Sequence, residues 1–136
     1  MSIKKLKAKS KESQSVRIIG GTWRSRKILF AEVPGLRPTG DRIRETLFNW
    51  LATNISGAHC LDLFAGSGVL GFEALSRGAA RCTSLESHPT AAKKLQSAKV
   101  ALSADINIVN TNSLSFLAKP SSGQEFDIVF IDPPFE

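Results

Sequence analysis

The sequence predicts an α/β fold in which a parallel sheet is covered by helices, and three observations lead to this prediction. From residue 59 onward, short runs of apolar, β-favouring residues alternate with helical patterns. A glycine-rich turn follows the first of these runs, as it does in open sheets that bind ligands beyond the carboxyl ends of their strands. A basic segment precedes this region, since the first thirty residues hold nine Lys or Arg and a single acid.

Composition divides the 136 residues into three expected parts. Residues 1–15 are rich in Lys and Ser and lack aromatic residues, so they are expected to form a flexible basic arm. Residues 16–52 are expected to form a hairpin and a helix, and residues 53–136 the α/β domain. A dense positive segment beside a nearly neutral domain favours contact with a polyanion, although a solvated tail that aids solubility has the same composition.

The amino-terminal elements are predicted from β-like runs and from helical periodicity. Residues 16–19 and 27–30 are expected to pair as a basic hairpin, with Gly20-Gly21 and Arg24-Ser25 available to turn the chain. A helix follows, with Asp41 near its amino end, because four apolar residues recur at i, i+4, i+7 and i+8. These residues are Ile43, Leu47, Trp50 and Leu51.

The α/β domain contains four expected strands with helices between them. The strands are expected at residues 60–64, 81–85, 106–109 and 126–131. The fourth is apolar enough to be buried in the centre of the sheet. A helix over residues 69–77 is expected to end at Gly78, and a second begins at Pro89. The apolar stripe of that second helix consists of Ala91, Leu95, Ala98 and Leu102.

Composition also argues against several classes of protein. No stretch approaches the roughly 18 uninterrupted apolar residues of a membrane span, and the amino terminus has no signal-peptide core. Cys60 and Cys82 lie in apolar runs without a CxxC pair or histidines at metal spacing, so they are expected to be reduced, buried thiols. A cytoplasmic monomer that does not contact the membrane and uses no metal is expected.

The glycine-rich turn predicts a site for a nucleotide-like ligand. Its sequence, Asp62-Leu-Phe-Ala-Gly-Ser-Gly-Val-Leu-Gly71, allows close backbone approach, and Glu86 stands where an acid could bind a ribose. The same spacing fits a dinucleotide, so a nicotinamide-dependent oxidoreductase is an alternative, and glycines that serve packing alone are another. Asp62 favours the methyl donor S-adenosylmethionine, because a carboxylate there suits an ammonium or a ribose and repels a pyrophosphate.

The tetrapeptide Asp132-Pro133-Pro134-Phe135 follows the fourth strand and predicts chemistry on a base amine. An exocyclic amine is a weak nucleophile because its lone pair is delocalised, and the Asp132 carboxylate and Pro133 carbonyl could grip its hydrogens and redirect that pair. The prolines fix the backbone, and Phe135 offers a stacking face for a base swung out of its RNA. Taken alone, the tetrapeptide equally fits a rigid surface turn.

Together these residues resemble the bacterial small-subunit rRNA guanine-N2 methyltransferases of the RsmD type, within the class I methyltransferases. The resemblance spans about residues 16 to 135. It is carried by Arg17-Ile-Ile-Gly-Gly-Thr-Trp-Arg24, Arg37-Pro-Thr39, Arg42-Ile-Arg-Glu-Thr-Leu-Phe-Asn-Trp50, Asp62-Leu-Phe-Ala-Gly-Ser-Gly68, Val109-Asn-Thr-Asn112 and Asp132-Pro-Pro-Phe135. The stretch from Arg37 to Trp50 is the most specific part.

The resemblance implies a Rossmann-like sheet and methylation of guanine N2 in 16S rRNA, either free or within the small ribosomal subunit. It implies a methyl-donor site formed by Asp62, Phe64, Ala65, Gly66, Gly68, Glu86 and Asn112. It implies a guanine site at Asp132, Pro133, Pro134 and Phe135 and an RNA-binding surface at Arg17, Trp23, Arg24, Arg26, Arg37 and Arg42.

The relatives continue through three more strands beyond the position of Glu136. We therefore expect residues 53–136 to form an incomplete methyltransferase domain whose fourth strand is an exposed edge. Two further functions stay open at this point. The chain could be an RNA-binding remnant that no longer transfers methyl groups, or an amino-methyltransferase that acts on adenine or cytosine in DNA or RNA, since the tetrapeptide does not distinguish these bases.

Overall fold

The computed structural model describes residues 14–34, 36–119 and 125–134. An antiparallel hairpin of β1 (Gln14–Arg17) and β2 (Lys27–Phe30) is followed by helix α1 (Asp41–Trp50). The remaining elements are β3 (His59–Asp62), α2 (Val69–Ser76), β4 (Arg81–Leu85), α3 (Pro89–Leu102), β5 (Ile106–Val109), α4 (Ser113–Ala118) and β6 (Ile128–Phe130). Most of the expected arm, residues 1–13, lies outside the described residues, whereas Gln14 and Ser15 belong to β1.

The sheet is parallel, which confirms the predicted α/β class. Its strand order is β5-β4-β3-β6, so the chain adds two strands on one side of β3 and then returns to add β6 on the other. The crevice where the direction of winding reverses, beyond the carboxyl ends of β3 and β6, is the position at which open α/β sheets bind ligands.

One face of the sheet carries the main core, to which α2, α3 and the hairpin contribute. The predicted stripe of α3 is confirmed, because its four apolar residues are all buried. Helix α2 lies close to the sheet at Gly71, where a Cβ atom would stand 2.9 Å from Ser84 Oγ and 3.0 Å from Cys82 Sγ. The opposite face carries a smaller cluster that includes Leu61 and Leu85.

The apolar stripe predicted for α1 marks the helix correctly, but only half of it faces the core, where Leu47 and Leu51 pack and are partly buried. Ile43 is 65% exposed and Trp50 is 77% exposed. The buried side chains are instead Phe48, whose ring centroid lies 5.8 Å from that of Phe130, and Arg44. Burial of Arg44 depends on a carboxylate from α2, which local periodicity does not reveal.

The prediction that the fourth strand is buried in the centre of the sheet is wrong, whereas the expectation that it forms an exposed edge is confirmed among the described residues. Strand β6 forms one edge of the sheet within the described residues, and Val129 is 46% exposed. Its partner is β3 on one side, which leaves the other side without a neighbouring strand among the described residues.

The two cysteines are buried and free, as predicted. Cys60 and Cys82 are neighbours across β3 and β4. Burial raises the pKa of Cys60 to about 11 and that of Cys82 to about 12, so both thiols stay protonated at neutral pH. Among the described helices, none combines the length and apolar character that a membrane crossing requires.

Candidate active site and cofactor pocket

A pocket of about 510 Å³ opens beyond the carboxyl ends of β3, β4 and β6. This volume lies within the range of about 300–1,000 Å³ that is typical of small-ligand sites. Most of the predicted site residues meet here. Those that line the pocket are Arg37, Phe64, Ala65, Gly66, Glu86, Asn112, Asp132, Pro133 and Pro134. Phe135, predicted to stack on a base, lies outside the described residues.

The glycine loop between β3 and α2 forms the floor of the pocket. Gly66 and Gly68 have φ angles of +56° and +83°, a region that side chains disfavour. A Cβ atom on Gly68 would stand 2.4 Å from Leu95 Cδ2, so this position also requires glycine for packing. Gly68 is buried below the pocket surface, whereas Gly66 lines it.

Glu86, directly after β4, is held beside the glycine loop by two backbone groups. The Gly66 N–H donates to Glu86 Oε1 at 2.8 Å, and the His88 N–H donates to Oε2 at 3.0 Å. These bonds fix the carboxylate at the pocket wall and leave lone pairs on both oxygens. A carboxylate in this position is suited to accept hydrogen bonds from a ribose diol.

Asp62 lies at the end of β3 and is completely buried beneath the loop. The Phe64 N–H donates to its Oδ1 at 3.1 Å, whereas Oδ2 has no partner among the described residues. Burial, with repulsion from Asp132 and Glu86, raises the pKa of Asp62 to about 7. Asp62 does not line the pocket, so the structure places this predicted cofactor residue below the loop rather than against a ligand.

Asn112 lines the pocket next to the start of α4. Its Oδ1 accepts a hydrogen bond of 2.7 Å from the Ser115 N–H and so caps the helix. The carboxamide therefore offers its NH2 group to a ligand. Ser113 donates to the Leu63 carbonyl at 2.6 Å, which ties the start of α4 to the glycine loop.

Asp132 stands at the pocket mouth two residues after the end of β6, where its side chain is held by a residue of the Arg37-Pro-Thr39 motif to which sequence reasoning gave no role of its own. The Thr39 hydroxyl donates to Asp132 Oδ2 at 2.7 Å. Thr39 also lines the pocket, together with Ile43 from α1. Thr39 and Asp132 lie 93 residues apart, and no local pattern in the sequence indicates their contact.

The residues implied to bind RNA do not all lie at the pocket. Arg37 lines it, whereas the turn of the hairpin packs on the carboxyl ends of α2 and α3. There the Thr22 N–H donates to the Ser76 carbonyl at 2.8 Å, and Arg26 Nη2 donates to the Ala101 carbonyl at 3.2 Å. The pocket lies at the amino ends of the same two helices.

The other four implied RNA-binding residues differ in exposure. Arg17, Arg24 and Arg42 are exposed, the first two on the hairpin and the third on α1. Trp23 is half-buried and packs against the main core, so part of its ring surface is already used within the protein.

Comparison with known proteins places these features in a family. The family model "Conserved hypothetical protein 95" matches residues 16–136. The chain is 53% identical over 124 residues to ribosomal RNA small subunit methyltransferase D of Haemophilus influenzae, which covers 88% of this chain and 64% of that protein. The chain therefore spans slightly less than two thirds of the length of this curated relative.

Solved structures show the same fold. The Escherichia coli protein yhhF, a candidate methyltransferase, superposes with a TM-score of 0.82 at 49% identity over 90% of this chain and 65% of its own. The Thermus thermophilus 16S rRNA N2 G1207 methyltransferase, solved with AdoMet and guanosine, has a TM-score of 0.69 over 92% of this chain and 33% of its own. At 22% identity, the latter supports the class I methyltransferase fold alone. The chain belongs to the conserved hypothetical protein 95 family, the family of the ribosomal RNA small subunit methyltransferases D.

Proposed function

We propose that this protein transfers a methyl group from S-adenosylmethionine to the N2 amine of a guanine in 16S rRNA. The observation that carries the proposal is that Asp132 and Pro133 border the same pocket as Gly66 and Glu86. An amine gripped by the first pair would therefore face a ligand held by the second pair. The names of the curated relatives support small-subunit rRNA as the substrate, and the motif resemblance supports guanine N2.

The chemistry of the pocket fits a cationic nucleoside. Three carboxylates lie close together at the pocket. Glu86 and Asp132 are near enough to Asp62 to help raise its pKa. A ligand that carries positive charge would relieve this repulsion, whereas a dinucleotide pyrophosphate would increase it.

We propose that Gly66, Glu86 and Asn112 contact the methyl donor, with Phe64 and Ala65 forming the floor of the pocket and Asp62 acting through the loop. Glu86 would hold the ribose, and the Asn112 NH2 group would donate to an acceptor of the adenine. S-adenosylmethionine supplies a methyl group bound to a positively charged sulfur. The protein contributes chiefly orientation, which accounts for a large part of the rate gain in such transfers.

On the acceptor side, Asp132 and the Pro133 carbonyl would each accept a hydrogen from the guanine amine. Asp132 Oδ2 accepts from Thr39, which leaves Oδ1 and a second lone pair of Oδ2 for the amine. The consecutive prolines restrict the backbone that carries the second acceptor. Asp132 is exposed, so it could also accept the proton that the methylated amine releases and pass it to water.

The distance between the pocket and the hairpin turn supports a polymeric substrate. The pocket and the turn lie at opposite ends of α2 and α3, which contain 8 and 14 residues. At a rise of about 1.5 Å per residue, these helices are about 12 and 21 Å long. One nucleotide cannot reach both ends, whereas an RNA segment could contact Arg37 at the pocket and Arg24 at the turn. We propose that residues 16–52 serve as this RNA-binding extension.

We further propose that the protein acts as a monomer in the cytoplasm. Support for this compartment comes from the curated relatives, whose names assign them to small-subunit ribosomal RNA.

The proposal is tested by incubating the full-length protein with S-adenosylmethionine labelled in its methyl group and small ribosomal subunits from cells that lack this modification. We expect labelled N2-methylguanosine after digestion of the 16S rRNA. The Asp132→Ala variant should lose at least about 100-fold in rate while binding S-adenosylhomocysteine as the wild type does, because it removes one amine acceptor. The Asp132→Asn variant, which keeps a carboxamide oxygen, should lose less.

Three results would contradict the proposal. Label in adenine or cytosine would assign a different base to the site. Retention of RNA without transfer would indicate an RNA-binding protein, and binding of NAD in place of S-adenosylhomocysteine would indicate an oxidoreductase.

A further inference from the structure

The orientation of Asp132 depends on a hydroxyl from another part of the chain. Asp132 follows the edge strand β6 and its side chain is exposed, so little packing restricts its rotation. The Thr39 hydroxyl donates to Oδ2 at 2.7 Å, a short distance that is typical of bonds to a charged acceptor. This bond holds Oδ2 at Thr39 and so limits rotation of the carboxylate.

Thr39 is in turn fixed by a buried arginine. Arg44 Nε donates to the Thr39 carbonyl at 2.9 Å, and the Arg44 side chain has no exposed surface. Arg44 Nη1 also donates to Glu73 Oε1 at 3.0 Å, and Nη2 donates to Asp41 Oδ1 at 2.6 Å. A planar guanidinium with these fixed partners leaves the Thr39 backbone little freedom.

The same buried pair holds the hairpin. The Ile19 N–H donates to Glu73 Oε1 at 3.0 Å, and the Gly20 N–H donates to Oε2 at 2.9 Å. Arg44 Nη1 donates to the Arg17 carbonyl at 2.9 Å. Arg44 and Glu73 therefore connect the hairpin backbone to the loop that positions Asp132.

We propose that Thr39 is a positioning residue for Asp132 and that the buried Arg44–Glu73 pair holds Thr39 in place. This inference rests on the proposed function, because the orientation of Asp132 matters only if the carboxylate grips an amine. The hydroxyl keeps Oδ1 available to the substrate. Without it, the exposed carboxylate samples its other rotamers, and fewer encounters with RNA are productive.

The closing experiment compares Thr39→Val, which keeps the side-chain shape and removes the hydroxyl, with Thr39→Ser, which keeps the hydroxyl. Both are made in the full-length protein. The measurements are kcat and KM for the small subunit and the Kd for S-adenosylhomocysteine. For Thr39→Val we expect kcat to fall about tenfold or more, with KM and Kd within about twofold of wild type. Thr39→Ser should recover most of kcat.

A second comparison tests the link through the buried pair. Glu73→Gln should lower kcat. In the double variant, Thr39→Val should reduce kcat by much less than it does in the wild-type background, because both changes act on the orientation of Asp132. If Glu73→Gln fails to fold, as judged by thermal unfolding, the Thr39 pair of variants still decides the proposal.

The outcomes separate this inference from the proposed function. Wild-type transfer together with an unchanged kcat in Thr39→Val would overturn the inference and leave the proposed function intact. Equal losses in Thr39→Val and Thr39→Ser, or a loss confined to the Kd for S-adenosylhomocysteine, would overturn it as well. Absence of transfer by the wild type would overturn both.

Discussion

The guanidinium of Arg44 and the carboxylate of Glu73 lie 3.0 Å apart between α1 and α2, and neither side chain has any exposed surface. Glu73 also accepts from Arg77 Nε at 2.8 Å, and Arg44 also contacts Asp41. Two basic side chains, Arg44 and Arg77, thus contact two acidic ones, Glu73 and Asp41. Both oxygens of Glu73 accept hydrogen bonds. Such a pair is tolerated in a core because its charges and hydrogen bonds are satisfied at once.

Replacing Glu73 by Gln should therefore destabilise the protein by about 3–5 kcal/mol, because it removes the buried carboxylate that Arg44 and Arg77 share and leaves Arg44 with only the exposed Asp41 as an anionic partner. Urea unfolding followed by tryptophan fluorescence measures the free energy of unfolding. The matched control is Asp105→Asn, whose partner Arg81 lies 3.8 Å away with both side chains more than half exposed. The control should change little, and equal losses in the two variants would argue against a special role for the buried pair.

Gly68→Ala should destabilise the fold by at least about 2 kcal/mol, because it combines a strained φ angle with a steric clash. The φ angle is +83°, and the new methyl group would lie 2.4 Å from Leu95 Cδ2. Gly57→Ala is the control, since Gly57 has φ of +74° with nothing within 4 Å of its Cβ position. The difference in unfolding free energy between the two variants isolates the clash. Equal values would show that the Leu95 side chain moves aside without cost, and that packing does not require glycine at position 68.

Asp62 should make stability fall as pH rises. Its pKa is about 7 in the folded protein against 3.8 for an unperturbed aspartate, so between these pH values the folded state holds a proton that the unfolded state has released. Each pH unit in that interval lowers the free energy of unfolding by about 1.4 kcal/mol. The contribution of Asp62 to the free energy of unfolding is therefore fully present below about pH 4 and fully lost above about pH 7.

Comparison with Asp62→Asn isolates this effect, because the variant lacks the titrating group. The quantity of interest is the free energy of unfolding of Asp62→Asn minus that of the wild type, both measured without ligand. We expect this difference to be about 2–3 kcal/mol larger at pH 8 than at pH 5. Urea unfolding at several pH values measures this difference. Parallel pH profiles for the two proteins would contradict the raised pKa of Asp62.

Arg24 should contribute to RNA binding and leave the cofactor site unaffected. It is exposed on the hairpin turn, which lies at the opposite ends of α2 and α3 from the pocket. Arg24→Gln should weaken binding to a 16S rRNA fragment several-fold and reduce the slope of log K against log salt by about one, if one phosphate contact is lost. The Kd for S-adenosylhomocysteine should stay unchanged.

Lys119→Gln is the control for Arg24. Lys119 follows α4, whose Phe116 packs on the opposite face of the sheet from the hairpin. RNA affinity should stay at the wild-type value in this variant. An equal weakening in both variants would indicate a diffuse charge effect rather than a binding surface on the hairpin.

Local patterns predicted the elements well where packing follows the periodicity of one segment. Strands β4 and β5 have the predicted bounds, α3 begins at Pro89, and the stripe of α3 is buried. The same reasoning was only half right for α1, where Leu47 and Leu51 pack against the core but the fully buried residues are Phe48 and a charged arginine. A charged side chain is predicted to be exposed unless its buried partner is known. The partner of Arg44 is Glu73, which lies 29 residues later and so outside the local pattern.

The amino-acid sequence by itself determined the α/β class, the glycine loop and the carboxylates that follow the strands. These features depend on short-range periodicity and on the fact that the carboxyl ends of parallel strands meet at one edge of a sheet. Tertiary structure alone decided that Thr39 holds Asp132, that Asp62 lies beneath the pocket rather than in it, and that the hairpin turn is far from the site. These relationships join residues up to 93 positions apart. Such contacts arise from the packing of whole elements, and the free energy of that packing is not a property of any one segment.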